Sequence, residues 1–194
     1  MAEAPHPSLD PSGDNPWRTL ETGIAFESSQ FRVVRHTVTQ PDGAPGTYTY
    51  LELPGSVAAV VPVTEDRCVY LVRQWRYPWR RNSWEVPAGH CDPGETPAQG
   101  AARELAEEVG LAARDWTSLG MVFASATIDS EFHLYLARDL SPAPAGSAQR
   151  DGAEHDMQVA CVPLAEAVRA VMDGTLVHAV TCLALLRTAR LLDL

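Results

Sequence analysis

The sequence predicts an α/β sandwich built on a mixed β-sheet. Two observations support this fold class: strand-like apolar segments precede and follow one central helix, and two further helical segments come last in the sequence. Helices on both faces of a sheet bury the apolar sides of both kinds of element. We therefore expect a layered domain with the sheet in the middle.

The chain has 194 residues, enough for one well-buried domain with a small N-terminal addition. Residues 1–16 are rich in proline, serine and small residues and lack the apolar core of a signal peptide, so we expect a disordered tail. Residues 17–54 form a predicted N-terminal β extension, a candidate dimerisation element. Residues 55–194 form the predicted main domain.

The strands are predicted from short apolar runs bounded by turn-forming residues. In order they are Phe31–Val38, Thr47–Leu53, Val57–Val63, Cys68–Gln74, Leu119–Phe123, Phe132–Leu136 and Met157–Val162. The turn Gln40-Pro41-Asp42-Gly43 joins the first two. Helices are predicted at Leu164–Met172 and Leu176–Leu191, with Gly174 at the C′ position between them.

The central helix has a complete start signal. Thr96 suits the N-cap, Pro97 suits the first helical position, and Gln99 completes a capping box. At about 100° per residue, one side of this helix is predicted to carry the apolar residues Ala98, Ala101, Ala102, Leu105 and Val109.

The same helix carries a concentration of negative charge. Glu104, Glu107 and Glu108 cluster about 120° from the apolar side, and the i,i+4 pair Glu104 and Glu108 repels unless something neutralises it. Arg103 can pair with Glu107, but one arginine cannot balance the cluster. A solvated acidic face is the alternative interpretation. Carboxylate oxygens are the ligands of hard divalent cations, so the sequence favours a Mg²⁺ site that also takes substrate phosphates.

Composition limits the remaining function classes. A net charge of −10 argues against a general nucleic-acid or anionic-membrane surface. The most apolar stretch, Leu176–Leu186, is too short to span a bilayer. Four cysteines without a C-x-x-C pair indicate reduced thiols and a cytoplasmic protein.

The segment from Gly89 to Leu111 resembles the signature of the Nudix hydrolases, the Nudix box. It matches every fixed position of G-x5-E-x7-R-E-L-x-E-E-x-G-L. The resemblance extends from about Asn15-Pro16-Trp17 to the C-terminus and implies the Nudix α/β/α sandwich. Within the superfamily, the chain looks like the ADP-ribose pyrophosphatase branch.

The resemblance implies which box residues hold the cation. Glu104 and Glu108 correspond to the principal ligands, with Glu107 binding directly or through water. Glu95 can bend back toward the same cation, and Ala88 matches a position whose backbone carbonyl often completes the site. Arg103 then orients the glutamates. The implied cofactor is Mg²⁺, with Mn²⁺ as a substitute.

Two segments before the box are candidates for substrate binding. Glu85 lies in a match to the branch segment E-x-P-A-G, and Arg76 lies in a match to R-Q-x-R-x-P. Arginine suits phosphate, and aromatic rings stack on bases, so Arg76, Arg80 and Trp75 are predicted to contact the substrate. The alternatives are an exposed strand position for Glu85, and a solubilised edge strand or a dimer contact for the arginine-rich segment.

The family often places its general base outside the box, and two glutamates are candidates. Glu131 resembles a glutamate that follows the Ser-Pro-Gly loop of the branch. Glu154 follows the loop of residues 141–153, which can close over substrate, and resembles an E-x-E/D segment that supplies the base in several relatives. An exposed loop acid is the alternative for each.

The branch resemblance implies a pyrophosphohydrolase that acts on a nucleoside diphosphate derivative, with ADP-ribose as the first candidate. The chain departs from the branch at Ser125-Ala126-Thr127, where Ala126 replaces the marker proline. This departure keeps other substrates open, such as GDP-mannose and CDP-linked compounds. A ligand-sensing Nudix module without catalysis is the alternative of another class. Branch members commonly pair through N-terminal strands, so a homodimer is expected.

Overall fold

A computed structural model describes residues 12–147, 152 and 156–194. The chain divides into two compact units, one ending at Leu51 and the next beginning at Glu52. Most of the tail predicted over residues 1–16 lies outside the described residues. Residues 12–16 are in neither helix nor strand. The domain limits drawn from the sequence stay predictions.

The first unit is a small set of β-strands, of which the first two pair in the antiparallel direction. It contains β1 (Arg18–Glu27), β2 (Arg32–Thr39) and β3 (Pro45–Glu52), in the sheet order β1-β2-β3. The predicted turn after β2 is present: Gly43, at φ 86°, donates its N–H to the Gln40 carbonyl at 2.9 Å. The sequence analysis missed β1, although its apolar residues Leu20, Ile24 and Phe26 recur at even spacing; all three are exposed in the structure.

The second unit contains the remaining elements. These are β4 (Val57–Pro62), β5 (Cys68–Arg76), a 3₁₀ turn (Tyr77–Trp79), β6 (Arg81–Glu85), β7 (Ala88–His90), α1 (Pro97–Glu104), a π-helical turn (Leu105–Val109), β8 (Leu111–Phe123), β9 (Ile128–Asp129), β10 (Glu131–Pro142), β11 (Gln158–Pro163), α2 (Leu164–Met172) and α3 (Ala179–Leu191). A mixed sheet has the order β7-β4-β10-β8, with β4 and β10 parallel. An antiparallel sheet has the order β11-β5-β6.

Strand β4 is buried on both faces, and its alternate residues point to different helices. Ala58 and Val60 pack with Ala101 and Leu105 of α1 in one apolar cluster. The other cluster contains Ala59 and Val61 of β4 with residues of α2 and α3, namely Leu164, Ala167, Val180, Ala184 and Leu185. The sheet therefore lies between α1 on one face and α2 and α3 on the other, which confirms the predicted α/β/α sandwich.

Helix α1 begins as predicted, but its buried side differs from the prediction. Thr96 is the N-cap, and its hydroxyl accepts the Gln99 N–H in a complete capping box. Ala98 and Ala102 are exposed, whereas Glu104 is buried. Ala101 and Leu105 are buried as predicted, and the buried side extends to Glu104, because α1 also covers strand β7 there.

The last turn of the box helix is a π-turn. Gly110, at φ 76°, donates its N–H to the carbonyls of Ala106 and Leu105, and the bond to Leu105 spans five residues. Regular α-helical spacing therefore ends at Glu104, before the last two box glutamates.

Other element boundaries also differ from the sequence prediction, and the largest differences concern β8, α3 and the end of β10, which lies at Pro142 rather than Leu136. Strand β8 begins at Leu111 rather than Leu119, because it pairs with β10 along its whole length. Helix α3 begins at Ala179 rather than Leu176. Gly174 has the positive φ, 80°, that its predicted position after α2 requires. In the described part of the chain, no helix is long and apolar enough to cross a membrane.

Candidate active site

The loop from β7 into α1 brings two glutamates against the backbone of β7. A Cβ atom on Gly89 would lie 2.0 Å from the Glu104 Oε1, so the missing side chain is what admits this carboxylate. The φ of Gly89 is not positive, so the close approach of this carboxylate, and not a left-handed backbone, is the physical reason for glycine here.

Glu108 is the most deeply buried of the box glutamates, at 1% exposure, and Glu104 follows at 7%. The Ala88 N–H donates to the Glu108 Oε2 at 3.0 Å. The Glu104 carboxylate thus lies against Gly89 of β7, and the Glu108 carboxylate accepts a hydrogen bond from Ala88 of the same strand. Charged side chains are seldom buried without partners, so both buried carboxylates require a neighbouring positive charge or a metal ion.

Arg103 is the centre of the acidic cluster. It donates to Glu95 at 3.2 Å, to Glu104 at 2.7 Å and to Glu107 at 2.8 Å, and also to the His90 carbonyl at 2.7 Å. Burial works against its charge, but these carboxylates raise the pKa of Arg103 above its usual value. The same interactions lower the pKa of Glu95 despite its desolvation. The predicted pair of Arg103 and Glu107 is confirmed.

The donor set suits a hard cation. Arg103 pairs with the carboxylates of Glu95, Glu104 and Glu107, Glu108 accepts the Ala88 N–H, and the Gly89 backbone leaves room for Glu104. Among the described residues, no three such side chains already converge as a metal site. Arg103 holds three of the carboxylates in this structure, so ligation requires them to turn from the guanidinium toward the ion.

A second charged cluster lies on the β5–β6 hairpin. The Arg76 guanidinium donates to both oxygens of Glu85, from Nε at 2.8 Å and from Nη2 at 2.5 Å. Glu85 is only 1% exposed, so the alternative of an exposed strand position is wrong. Burial alone would raise the pKa of Glu85, but the bonds from Arg76 lower it below its usual value.

Two residues of this cluster were not found by sequence analysis. The His178 Nδ1 lies 3.1 Å from the Glu85 Oε2 and 2.9 Å from the Thr181 Oγ1, and Thr181 accepts the Val86 N–H at 3.1 Å. Burial lowers the pKa of His178, while Glu85 opposes this shift. His178 is the N-cap residue of α3, but that position alone gives no signal of a partner on β6.

The tip of the β5–β6 hairpin exposes aromatic and cationic side chains. Trp75 is 51% exposed, Tyr77 84% and Trp79 45%. The Trp79 ring lies 5.8 Å from the His178 ring. Arg80 has a left-handed backbone with φ 51° and ψ 39°. Residues with a Cβ atom seldom adopt these angles, so the position is strained.

We expect Arg80→Gly to raise the free energy of unfolding by about 1 kcal/mol, because glycine adopts left-handed angles without strain. Chemical denaturation measures this difference. Arg81→Gly is the matched control: Arg81 is exposed in an extended strand, where glycine lowers stability. Equal destabilisation by both substitutions would contradict the strain.

The two candidate general bases have different outcomes. Glu131 is exposed at the start of β10, and its Oε2 lies 3.0 Å from the His133 Nε2. No contact described for Glu131 joins it to the box glutamates. Glu154 lies outside the described residues. Near Glu131, Ser125 closes a turn by accepting the Thr127 N–H at 3.3 Å, and this turn exposes Ala126.

Comparison with known proteins agrees with this fold. The family model for the NUDIX domain matches residues 53–179. The chain is 36% identical over 164 residues to the ADP-ribose pyrophosphatase of Mycobacterium tuberculosis, covering 84% of this chain and 75% of that protein. It is 31% identical over 173 residues to the CMP-5'-(N-acetyl-N-hydroxy-3-aminopropyl)phosphonate hydrolase of Streptomyces rubellomurinus, covering 88% and 81%.

A solved structure described as an ADP compounds hydrolase has the same fold. Its TM-score is 0.81 at 23% identity, over 94% of this chain and 97% of that one. The chain therefore belongs to the Nudix family. Within that family it is a Nudix pyrophosphohydrolase of the ADP-ribose pyrophosphatase-like branch. Nudix hydrolases generally use divalent metal ions.

Proposed function

We propose that this enzyme hydrolyses the pyrophosphate bond of ADP-ribose in the presence of Mg²⁺, giving AMP and ribose 5-phosphate. Mn²⁺ is the proposed substitute ion, and the cytoplasm is the proposed location. The observation that carries the proposal is the pair of buried carboxylates, Glu104 and Glu108, that meets the backbone of Gly89 and Ala88 beside Arg103. The similarity to an ADP-ribose pyrophosphatase supports the choice of substrate.

The contacts within the acidic cluster support different roles for its residues. Glu104 and Glu108 are proposed as the main ligands, with Glu95, Glu107 and the Ala88 carbonyl completing the set. A divalent cation held there would screen the diphosphate and favour ionisation of the attacking water. Arg103 donates to Glu95, Glu104 and Glu107, so its proposed role is to orient them.

The hairpin cluster is proposed to bind the substrate. Glu85 holds the Arg76 guanidinium through two bonds, which fixes its plane before substrate arrives. Exposed Trp75 and Arg80 would contribute a stacking surface and a further cation.

Either Glu131 or Glu154 is proposed to accept the proton of the attacking water. Comparing kcat of Glu131→Gln and Glu154→Gln over a range of pH identifies which one.

A hydrolysis screen tests the substrate. The enzyme is incubated with ADP-ribose, GDP-mannose, CDP-choline, NADH and diadenosine polyphosphates, with Mg²⁺ or Mn²⁺, and the products are separated by chromatography. We expect the highest kcat/KM for ADP-ribose and no turnover with excess chelator. Failure to cleave any of these compounds would contradict the proposed reaction.

Another nucleoside diphosphate derivative is the second candidate substrate. Ala126 stands where the branch has proline, in an exposed turn closed by Ser125. One relative that matches 88% of this chain carries the name of a hydrolase of a CMP-linked phosphonate. A preference for a CDP-linked compound in the screen would support this candidate. The alternative of a binding module without catalysis is disfavoured because the chain keeps every box glutamate.

We also propose a homodimer that pairs through the N-terminal strands. Strand β1 is a ten-residue strand at one end of its sheet order, and Leu20, Ile24 and Phe26 on it are 53%, 56% and 54% exposed. Long edge strands with exposed apolar residues tend to pair with another chain. A second copy of β1 would cover these residues.

Ile24→Arg is expected to convert the dimer to a monomer, because it places a charge in the apolar patch of β1. Light scattering at micromolar concentration measures the molar mass. Ser29→Arg, in the exposed bend after β1, should remain dimeric and serves as the control. A monomeric wild-type protein would contradict the proposed dimer.

A further inference from the structure

We infer that His178 is a positioning residue that holds Glu85, and through Glu85 the Arg76 guanidinium, in the orientation that substrate binding requires. This inference rests on the proposed role of Arg76 and Glu85 in substrate binding. It assigns a function to the start of α3, an element that contributes nothing to the Nudix box.

The two polar neighbours of the His178 Nδ1 favour a proton on that atom. Nδ1 lies 3.1 Å from the Glu85 Oε2 and 2.9 Å from the Thr181 Oγ1. An ionised carboxylate only accepts hydrogen bonds, so a proton must lie on Nδ1 for the contact with Glu85 to be attractive. With the proton there, the Nδ1–H of His178 donates to the Thr181 Oγ1 at 2.9 Å, and its positive partial charge lies beside the Glu85 Oε2, 3.1 Å from Nδ1.

The contact between His178 and Glu85 matters because the Glu85 carboxylate is buried. Glu85 is 1% exposed, and Arg76, with about a third of its side chain exposed, approaches the same carboxylate from the hairpin. Arg76 and Ser83 form hydrogen bonds with the Glu85 carboxylate, and His178 adds a polar contact to its Oε2 from the start of α3. Without His178, the buried Oε2 would lose this polar neighbour, and the carboxylate could rotate together with its arginine.

Thr181 connects the start of α3 with the segment that leads to the proposed cation site. Its Oγ1 accepts the Val86 N–H at 3.1 Å, and Val86 lies two residues before Ala88. The Ala88 N–H in turn donates to Glu108. The start of α3 thus contacts both the Glu85 carboxylate and the short segment between β6 and β7.

Two substitutions of similar size separate positioning from packing. The side-chain amide nitrogen of asparagine can take the place of Nδ1, whereas that of glutamine corresponds to Nε2. We expect His178→Gln to raise KM for ADP-ribose about ten- to hundredfold with kcat within a few-fold of wild type. His178→Asn should restore KM to within about threefold, because it keeps a donor opposite Glu85.

Val177→Ala is the matched control, since Val177 is the exposed neighbour of His178, and its KM should not change. A purely structural role would lower the melting temperature and the amount of active enzyme in both His178 variants without separating their KM values. Equal KM values for His178→Asn and His178→Gln would overturn the inference.

A second measurement does not depend on activity. Long-range ¹H–¹⁵N NMR spectra distinguish the two neutral tautomers of histidine, and we expect the Nδ1–H form for His178 near neutral pH. The Nε2–H form would overturn the inference even if the enzyme cleaves ADP-ribose. Conversely, an Nδ1–H tautomer in a protein that cleaves none of the screened compounds would contradict the proposed function alone.

Discussion

Glu108→Gln is expected to lower kcat for ADP-ribose by a factor of about 10³ or more, because it removes a negative ligand of the proposed cation. The amide oxygen of glutamine can still accept the Ala88 N–H, so the local backbone should be retained. Without metal, the variant should be at least as thermally stable as wild type, because one of several neighbouring negative charges is gone. Steady-state kinetics with Mg²⁺ measures kcat, and calorimetry measures the melting temperature.

The matched control is Glu166→Gln, which makes the same chemical change at an exposed position in α2. Its kcat should equal that of wild type. Added Mg²⁺ should raise the melting temperature of wild type and of this control more than that of Glu108→Gln, because an ion stabilises the folded state in proportion to its affinity. A kcat for Glu108→Gln within threefold of wild type would show that Glu108 is not a ligand.

Gly89→Ala is the second substitution with a large expected effect. The new Cβ would lie 2.0 Å from the Glu104 Oε1 and 2.4 Å from its Cδ, so the carboxylate must move away. A displacement of about 1 Å in a catalytic group can cost a factor of about 10², and we expect kcat to fall by about that amount or more. Glu104 would also lose its 2.7 Å contact with Arg103. Kinetics at saturating substrate and Mg²⁺ measures the loss.

Gly23→Ala tests whether any strand glycine is equally sensitive. Its new Cβ would meet the Arg35 carbonyl oxygen at 3.5 Å, an ordinary contact, and activity should not change. A crystal structure of Gly89→Ala should show the Glu104 carboxylate displaced from β7. An unmoved carboxylate with undiminished kcat would contradict the role given to this glycine.

The sandwich and the start of its central helix could be predicted because local rules determine them. The apolar run of β4 and the capping box at Thr96 are properties of short segments, and both agree with the structure. The Nudix box likewise depends only on spacing. Strand β1 was missed because Gly23, a residue type depleted in strands, interrupts the even spacing of Leu20, Ile24 and Phe26.

The hairpin cluster could not be predicted because its partners are distant in the sequence. Glu85 was a candidate, but only the folded chain brings His178 from the start of α3 to its carboxylate. The reason for glycine at position 89 could not be predicted either. The sequence indicates that glycine stands there, whereas the close carboxylate of Glu104, a contact across the loop, gives the reason.

The π-turn at Leu105–Val109 has a consequence for protein engineering. The i→i+5 bond from Gly110 to Leu105 changes the angle at which Glu107 and Glu108 leave the helix axis, relative to Glu104. Copying the box letters onto a regular helix of another scaffold would therefore preserve the spacing and misdirect the carboxylates. A transplanted box needs the wide turn and its left-handed glycine as well, so the portable unit is a backbone shape together with its residues.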